Sequence, residues 1–168
     1  MKNKFIIVFA GSVGSSKTPI AFYLSYTFNL PMFNTDAIRS EVREDLLGYN
    51  VKEYKKRRDK RLKGIIDKGN SFILDASIDR EWVNYKKLVD ESNYKIFIIS
   101  IDLSKDFLIK LFKAKNYEAI DKLDGWIKDH QDFLVQYGTI VNLHITDKNF
   151  KDRLQISSDA FKKWLKEF

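Results

Sequence analysis

Hydrophobic and polar positions along this chain follow two alternating periods. Short apolar runs of strand length fall at 4–10, 31–34, 71–75, 95–102 and 141–146. Between them lie longer stretches in which apolar residues recur every three to four positions, at 17–28, 36–46, 50–68, 80–92, 104–114, 118–136 and 150–167. The first period predicts strands and the second predicts amphipathic helices. The run Phe5-Ile6-Ile7-Val8-Phe9 carries no charge at all, which suits a central parallel strand covered on both faces. No Pro/Gly/Ser-rich linker and no internal repeat interrupts the alternation. The predicted fold class is therefore α/β, a parallel sheet with helices on both faces.

The connection after the first strand carries the strongest chemical signal. Residues 11–18 read GSVGSSKT, which fits the phosphate-binding pattern G-x-x-x-x-G-K-[ST] except that Ser16 stands where the second glycine belongs. Gly11 and Gly14 allow the backbone to turn sharply, so that successive N–H groups point inward at phosphate oxygens beside the positive end of the next helix. Gly11, Ser12, Val13, Gly14, Ser15, Ser16, Lys17 and Thr18 are thus the candidate cradle. Within it Lys17 meets the outer phosphates and the Thr18 hydroxyl meets Mg2+. The alternative is an ordinary strand-to-helix turn rich in Gly and Ser. Pro19 withdraws one N–H from the first helical turn, and the loss of a hydrogen bond to a charged group predicts binding weaker by roughly 1.5–3 kcal/mol.

Two acids reach the same sheet edge as this turn. The second strand runs out at Thr35-Asp36 and the third at Asp75. Capping a helix N-terminus is the structural role open to each. An acid after an apolar strand beside a phosphate loop also resembles the Walker B acid that holds Mg2+, which makes Thr18 and Asp75 the candidate metal ligands. Arg39 follows Asp36 by one helical turn, on the same face.

GSVGSSKT, NTDAIR and FILDASIDREW together resemble the small P-loop kinases of the zeta toxin, polynucleotide kinase and gluconate kinase group, over nearly the whole chain. The resemblance implies a three-layer fold with strand order 2-3-1-4-5, ATP and Mg2+ as cofactors, and Asp36 as the acceptor of the substrate hydroxyl proton with Arg39 beside it. It also implies a cationic lid after the fourth strand, near 110–125. Arginine is absent there, which leaves Lys110, Lys113 and Lys115 as the candidate cations and predicts weaker transition-state stabilisation than a planar guanidinium supplies.

Charge and composition change this picture only in part. Residues 52–63 hold eight Lys or Arg against two acids, nearly the whole formal net charge of +7. An amphipathic helix with apolar Val51, Tyr54, Leu62, Ile65 and Ile66 accounts for the pattern, and a nucleic acid partner bound through 52–63 is the functional alternative. A chain of 168 residues with 44% hydrophobic residues builds one core, hence one domain. The absence of cysteine excludes disulfides and thiolate metal sites. No segment has the apolar length of a membrane span, and the apolar N-terminal run is strand-length, so the expected location is cytoplasmic. His144 reads as a packed strand residue, His130 as exposed, and Trp82, Trp126 and Trp164 as packing onto the sheet. The expectation is a kinase that moves the γ-phosphoryl group of a nucleoside triphosphate to a small-molecule hydroxyl. Two alternatives stand beside it, a nucleotide-binding module with little or no transfer activity and a nucleic-acid end kinase.

Overall fold

A computed structural model describes residues 4–167. Strands β1 (Phe5–Ala10), β2 (Met32–Asn34), β3 (Phe72–Ser77), β4 (Lys95–Asp102) and β5 (Leu143–Thr146) form one sheet in the order β2-β3-β1-β4-β5. All four pairings are parallel, so every strand delivers its C-terminal end to the same edge. Helices α1 (Lys17–Phe28), α2 (Thr35–Leu46), α3 (Val51–Asp67), α4 (Trp82–Glu91), α5 (Lys105–Ala114), α6 (Leu123–Tyr137) and α7 (Arg153–Leu165) fill the connections. The expected three-layer α/β architecture and strand order are both observed.

The two-residue period of β1 divides the core into its layers. Ile6, Val8 and Ala10 face one side, where residues of α2, α3, α4 and α6 cover them. Ile7 and Phe9 face the other, under α1, α5 and α7. Phe161 of α7 is fully buried in this second layer, with its ring edge-on to Phe5, Phe28 and Phe97 and stacked on Trp164. A smaller apolar cluster of Leu108, Phe112 and Leu123 sits where α5 turns into α6. Trp82 and Trp164 pack in the layers over the sheet, whereas Trp126 lies against Phe112 in this third cluster. Among the described residues no helix is long and apolar enough to cross a membrane.

Short polar side chains set the helix starts. Asn34 accepts the backbone N–H groups of Asp36 and Ala37, Asn50 accepts that of Glu53, and Ser104 accepts that of Phe107. Two expected helices begin differently. The 118–136 segment opens with a 3-10 turn at Ala119–Lys122, and the last helix opens with one at Phe150–Asp152. β3 runs two residues beyond the expected end at Asp75. Its pairing with β1 slips between Ile7↔Ile73 and Phe9↔Ser77, so Asp75 lies inside the strand at the irregularity.

Phe161→Ala is expected to cost about 3–5 kcal/mol, because four neighbouring rings cannot collapse together into the space it leaves. A urea midpoint within error of the parent would refute this account of the second layer.

Candidate active site

The loop between β1 and α1 turns through three residues of positive φ, two of them glycines. Gly11 has φ +138° and Gly14 φ +78°. A Cβ on Gly14 would lie 2.3 Å from Cε2 of Phe112, so both the backbone and the neighbouring ring require glycine there. Ser16 also takes the left-handed conformation, φ 71° and ψ 40°. That conformation costs an L-residue about 1–2 kcal/mol, which explains why the motif favours glycine at this place. The serine brings a compensating contact, since its Oγ accepts a hydrogen bond from Lys115 Nζ at 2.8 Å, and the same ammonium donates to the Gly14 carbonyl at 2.9 Å. Lys17 Nζ donates to the carbonyls of Gly11 (2.8 Å) and Ser12 (2.7 Å) and to Ser15 Oγ (3.2 Å), which uses all three of its protons. Burial lowers its pKa to about 8, against the opposing pull of Asp79 and Asp75.

The expected acids flank this loop. Thr18 Oγ1 donates to Asp75 Oδ1 at 3.2 Å, and Asn34 Nδ2 donates to Asp75 Oδ2 at 3.0 Å. Burial raises the pKa of Asp75, with the Thr18 hydrogen bond working the other way. Hydroxyl and carboxylate oxygens side by side fit Mg2+, a hard cation that keeps several waters and takes few protein ligands. Among the described residues no group of three or more His, Cys, Asp or Glu is placed to hold a metal. A magnesium ion here would therefore rest on this pair, waters and phosphate oxygens.

Asp36 does not cap its helix. Asn34 does, and Asp36 sits in the first turn, two residues after the cap, with its side chain 75% exposed. Arg39 Nη1 is 2.8 Å from Asp36 Oδ1, and its guanidinium lies over the rings of Tyr49 and Tyr54 at 5.7 and 5.4 Å. Lys17, Thr18, Asp36, Arg39, Asp75 and Lys115 all line one open cleft of about 630 Å³ at the C-terminal edge of the sheet. Lys110 and Lys113 are exposed on α5 and do not line it. Lys115 lies just past the end of α5, where the chain turns back over the loop, and that turn separates it from the other two lysines.

Other residues of the cleft escaped the sequence reading. Arg80, Glu81, Tyr85 and Tyr117 line it. Arg80 and Glu81 belong to FILDASIDREW, where the signal lay in the loop after the strand rather than in the strand-end acid alone. His130 and His144 reverse their expected roles. His130 is buried at 6% exposure between Asp79 and Asp102, while His144 is exposed on edge strand β5 with its Nδ1 bonded to Asp102 Oδ2. Helical period alone hides such a histidine, because its partners come from β4 and the β3–α4 loop.

The arginines of the basic run on α3 are paired within the fold, while its lysines are exposed. Arg57 pairs with Glu41, Asp45 and Glu53, Arg58 with Asp59 and Glu81, and Arg61 with Glu41. Arg58 is nearly buried, and its bond to Glu81 at 2.8 Å ties α3 to the rim of the cleft. Val51, expected on the apolar face, is exposed. The arginine pairings reduce the cationic face on which the nucleic acid reading depended, and the exposed lysines that remain lie away from the cleft.

Sheet order, strand-end loop and cleft define the fold of the small P-loop kinases. Solved structures of the same fold include a gluconokinase from Sinorhizobium meliloti 1021, at TM-score 0.69 and 11% identity, covering 99% of this chain and 97% of that one. They also include shikimate kinase from Bacteroides thetaiotaomicron, at TM-score 0.59 and 14% identity over 98% and 99% of the two chains. The APS kinase CysC of Mycobacterium tuberculosis, solved with AMPPNP and APS, matches at TM-score 0.61 and 14% identity over 95% and 98%. No protein-family model matches the sequence, and no curated protein matches it.

Gly14→Ala is expected to destabilise the fold by about 2–4 kcal/mol, the left-handed backbone cost plus overpacking against Phe112. The double substitution Gly14→Ala/Phe112→Ala should show less than the sum of the single effects in chemical denaturation. Strict additivity would mean that the ring does not constrain the loop.

Proposed function

We propose that this chain is an ATP-dependent phosphotransferase that moves the γ-phosphoryl group to a hydroxyl of a small-molecule acceptor. The observation that carries the reading is the convergence of Lys17, the Thr18–Asp75 pair and the Asp36–Arg39 pair on one cleft beside the phosphate loop. The P-loop kinase fold of the solved relatives supports it, as does the nucleotide analogue bound in one of them.

In this reading the loop N–H groups and Lys17 hold the phosphate oxygens. Thr18 and Asp75 would hold Mg2+, which when bound neutralises charge between the outer phosphates. Asp36 orients the acceptor hydroxyl and takes its proton, and its exposed carboxylate leaves room for an acceptor to approach. Arg39, Arg80 and Lys115 line the same cleft and would supply positive charge to the transferring group. Electrostatic positioning is the main demand of phosphoryl transfer, so this placement matters more than a nucleophilic side chain. Lys115 would act as the cation of the lid, in a segment that contains no arginine.

A module that binds nucleotide with weak transfer is the second reading. Pro19 and the engagement of every Lys17 proton by the loop itself favour it.

Calorimetric titration of MgATP should show binding in the parent and none in Lys17→Ala, and Asp36→Asn should bind MgATP but lose transfer to every hydroxyl acceptor that the parent phosphorylates. An Asp36→Asn enzyme with parental turnover would remove that residue from the mechanism; a parent that binds MgATP without transferring phosphate would leave the second reading. Lys17 supplies a further test. Its pKa is about 8 in the folded, nucleotide-free chain, below the value of an unfolded lysine. Between those values the unfolded chain binds more protons, so the contribution of Lys17 to stability rises as pH climbs through the window. Bound phosphate favours the ammonium form and raises the pKa again. Binding of MgATP near pH 8 should therefore take up about half a proton, read as a buffer-dependent enthalpy, and an enthalpy independent of buffer would exclude the shift.

A further inference from the structure

A carboxylate stands where the phosphate cradle begins. Both oxygens of Asp79 accept the backbone N–H of Gly11, at 3.1 and 3.2 Å. That contact holds the first residue of the loop in place. It also puts negative charge at the edge of a site built for phosphate, where like charge disfavours binding.

His130, from α6, answers that charge. Its Nδ1 is 3.3 Å from Asp79 Oδ1 and its Nε2 is 2.8 Å from Asp102 Oδ1. Ionised carboxylates only accept hydrogen bonds, so a ring with a carboxylate oxygen at each nitrogen donates from both and is an imidazolium. Asp102 is itself held by the Ser100 hydroxyl and by His144 Nδ1. Asp79 also feels the Lys17 ammonium, and Arg80 beside it is turned to Asp129 of α6 at 3.5 Å. A second link, Ser12 Oγ to the Trp126 carbonyl at 3.2 Å, joins α6 to the same end of the loop one helical turn before His130.

We propose that His130 is a positioning residue of the phosphate site: clamped between Asp79 and Asp102 as an imidazolium, it neutralises the carboxylate that holds Gly11, so that Asp79 shapes the loop without repelling a bound nucleotide. The proposal rests on the reading of the loop as a nucleotide site. Burial by itself would lower the imidazole pKa, and the two carboxylates outweigh it and hold it at about 9. Lys17 titrates close by, so a pH profile alone would mix the two groups.

Charge-balance variants separate them. His130→Gln leaves Asp79 without its cation and should raise the Kd for MgATP at pH 7.5 by about tenfold. Asp79→Asn in the same chain keeps an amide oxygen for the Gly11 N–H but removes the charge, so the double variant His130→Gln/Asp79→Asn should return to within about threefold of the parent. A double variant as weak as His130→Gln, or a His130→Gln protein that binds like the parent, overturns the proposal. Imidazole nitrogen shifts measured by NMR in the parent give a reading independent of nucleotide and of variant folding. His130 should be doubly protonated at pH 7.5, and Asp79→Asn should lower its pKa by about one unit or more; a neutral ring in the parent sinks the clamp. A parent that binds no MgATP yet shows the imidazolium would defeat the kinase reading and with it the role of the clamp in nucleotide binding, leaving the clamp only as a structural fact.

Discussion

Parallel pairing of β1 with β3 on one side and β4 on the other is the constraint on which the site depends. It places the ends of three strands side by side, and each contributes a residue to the candidate site or to the charge network beside it. Gly11 opens the loop after β1, Asp75 lies in β3 at the pairing irregularity, and Asp102 closes β4. The pairing is secured by burial on both faces, since β1 from Ile6 to Ala10 is almost wholly excluded from solvent. A strand with an exposed face would lose one of the two helical layers, and with it either α1 or α6.

Charge around the loop is managed by contacts across the fold rather than by solvent. Lys17 is held by loop carbonyls and a serine hydroxyl, Lys115 reaches back to Ser16, and Asp79 is flanked by His130. Burial strengthens each of these interactions and raises the cost of leaving any of them unmade. The same economy applies on α3, where arginines that look like a basic patch in one dimension are paired with acids of α2, α3 and the β3–α4 loop.

Ser16 illustrates how a departure from a motif gains meaning only in three dimensions. Read along the chain, it is a side chain where glycine belongs. In the fold it occupies a left-handed backbone at a steric cost and offers its hydroxyl to Lys115, a residue 99 positions away. Pro19 carries no such compensation and lines the cleft.

Much of the architecture was legible in the chain, because alternating apolar periods and the GSVGSSKT turn are local signals whose meaning depends on backbone geometry alone. They determined the α/β class, the position of the loop and the acids at the strand ends, and the resemblance to P-loop kinases supplied the strand order. Errors fell where a residue's environment comes from distant segments. Asp75 was placed at the end of its strand because a charge usually ends an apolar run, yet Thr18 and Asn34 let it stay inside. Asp36 was open to a capping role that Asn34 fills, and His130 was assigned to solvent because the helical period cannot report two carboxylates arriving from a distant strand and loop. The sequence by itself thus determined which elements form and where the GSVGSSKT loop lies; only the tertiary structure decided which charges meet, because an ion pair or a clamped imidazole depends on distances that no spacing along the chain encodes.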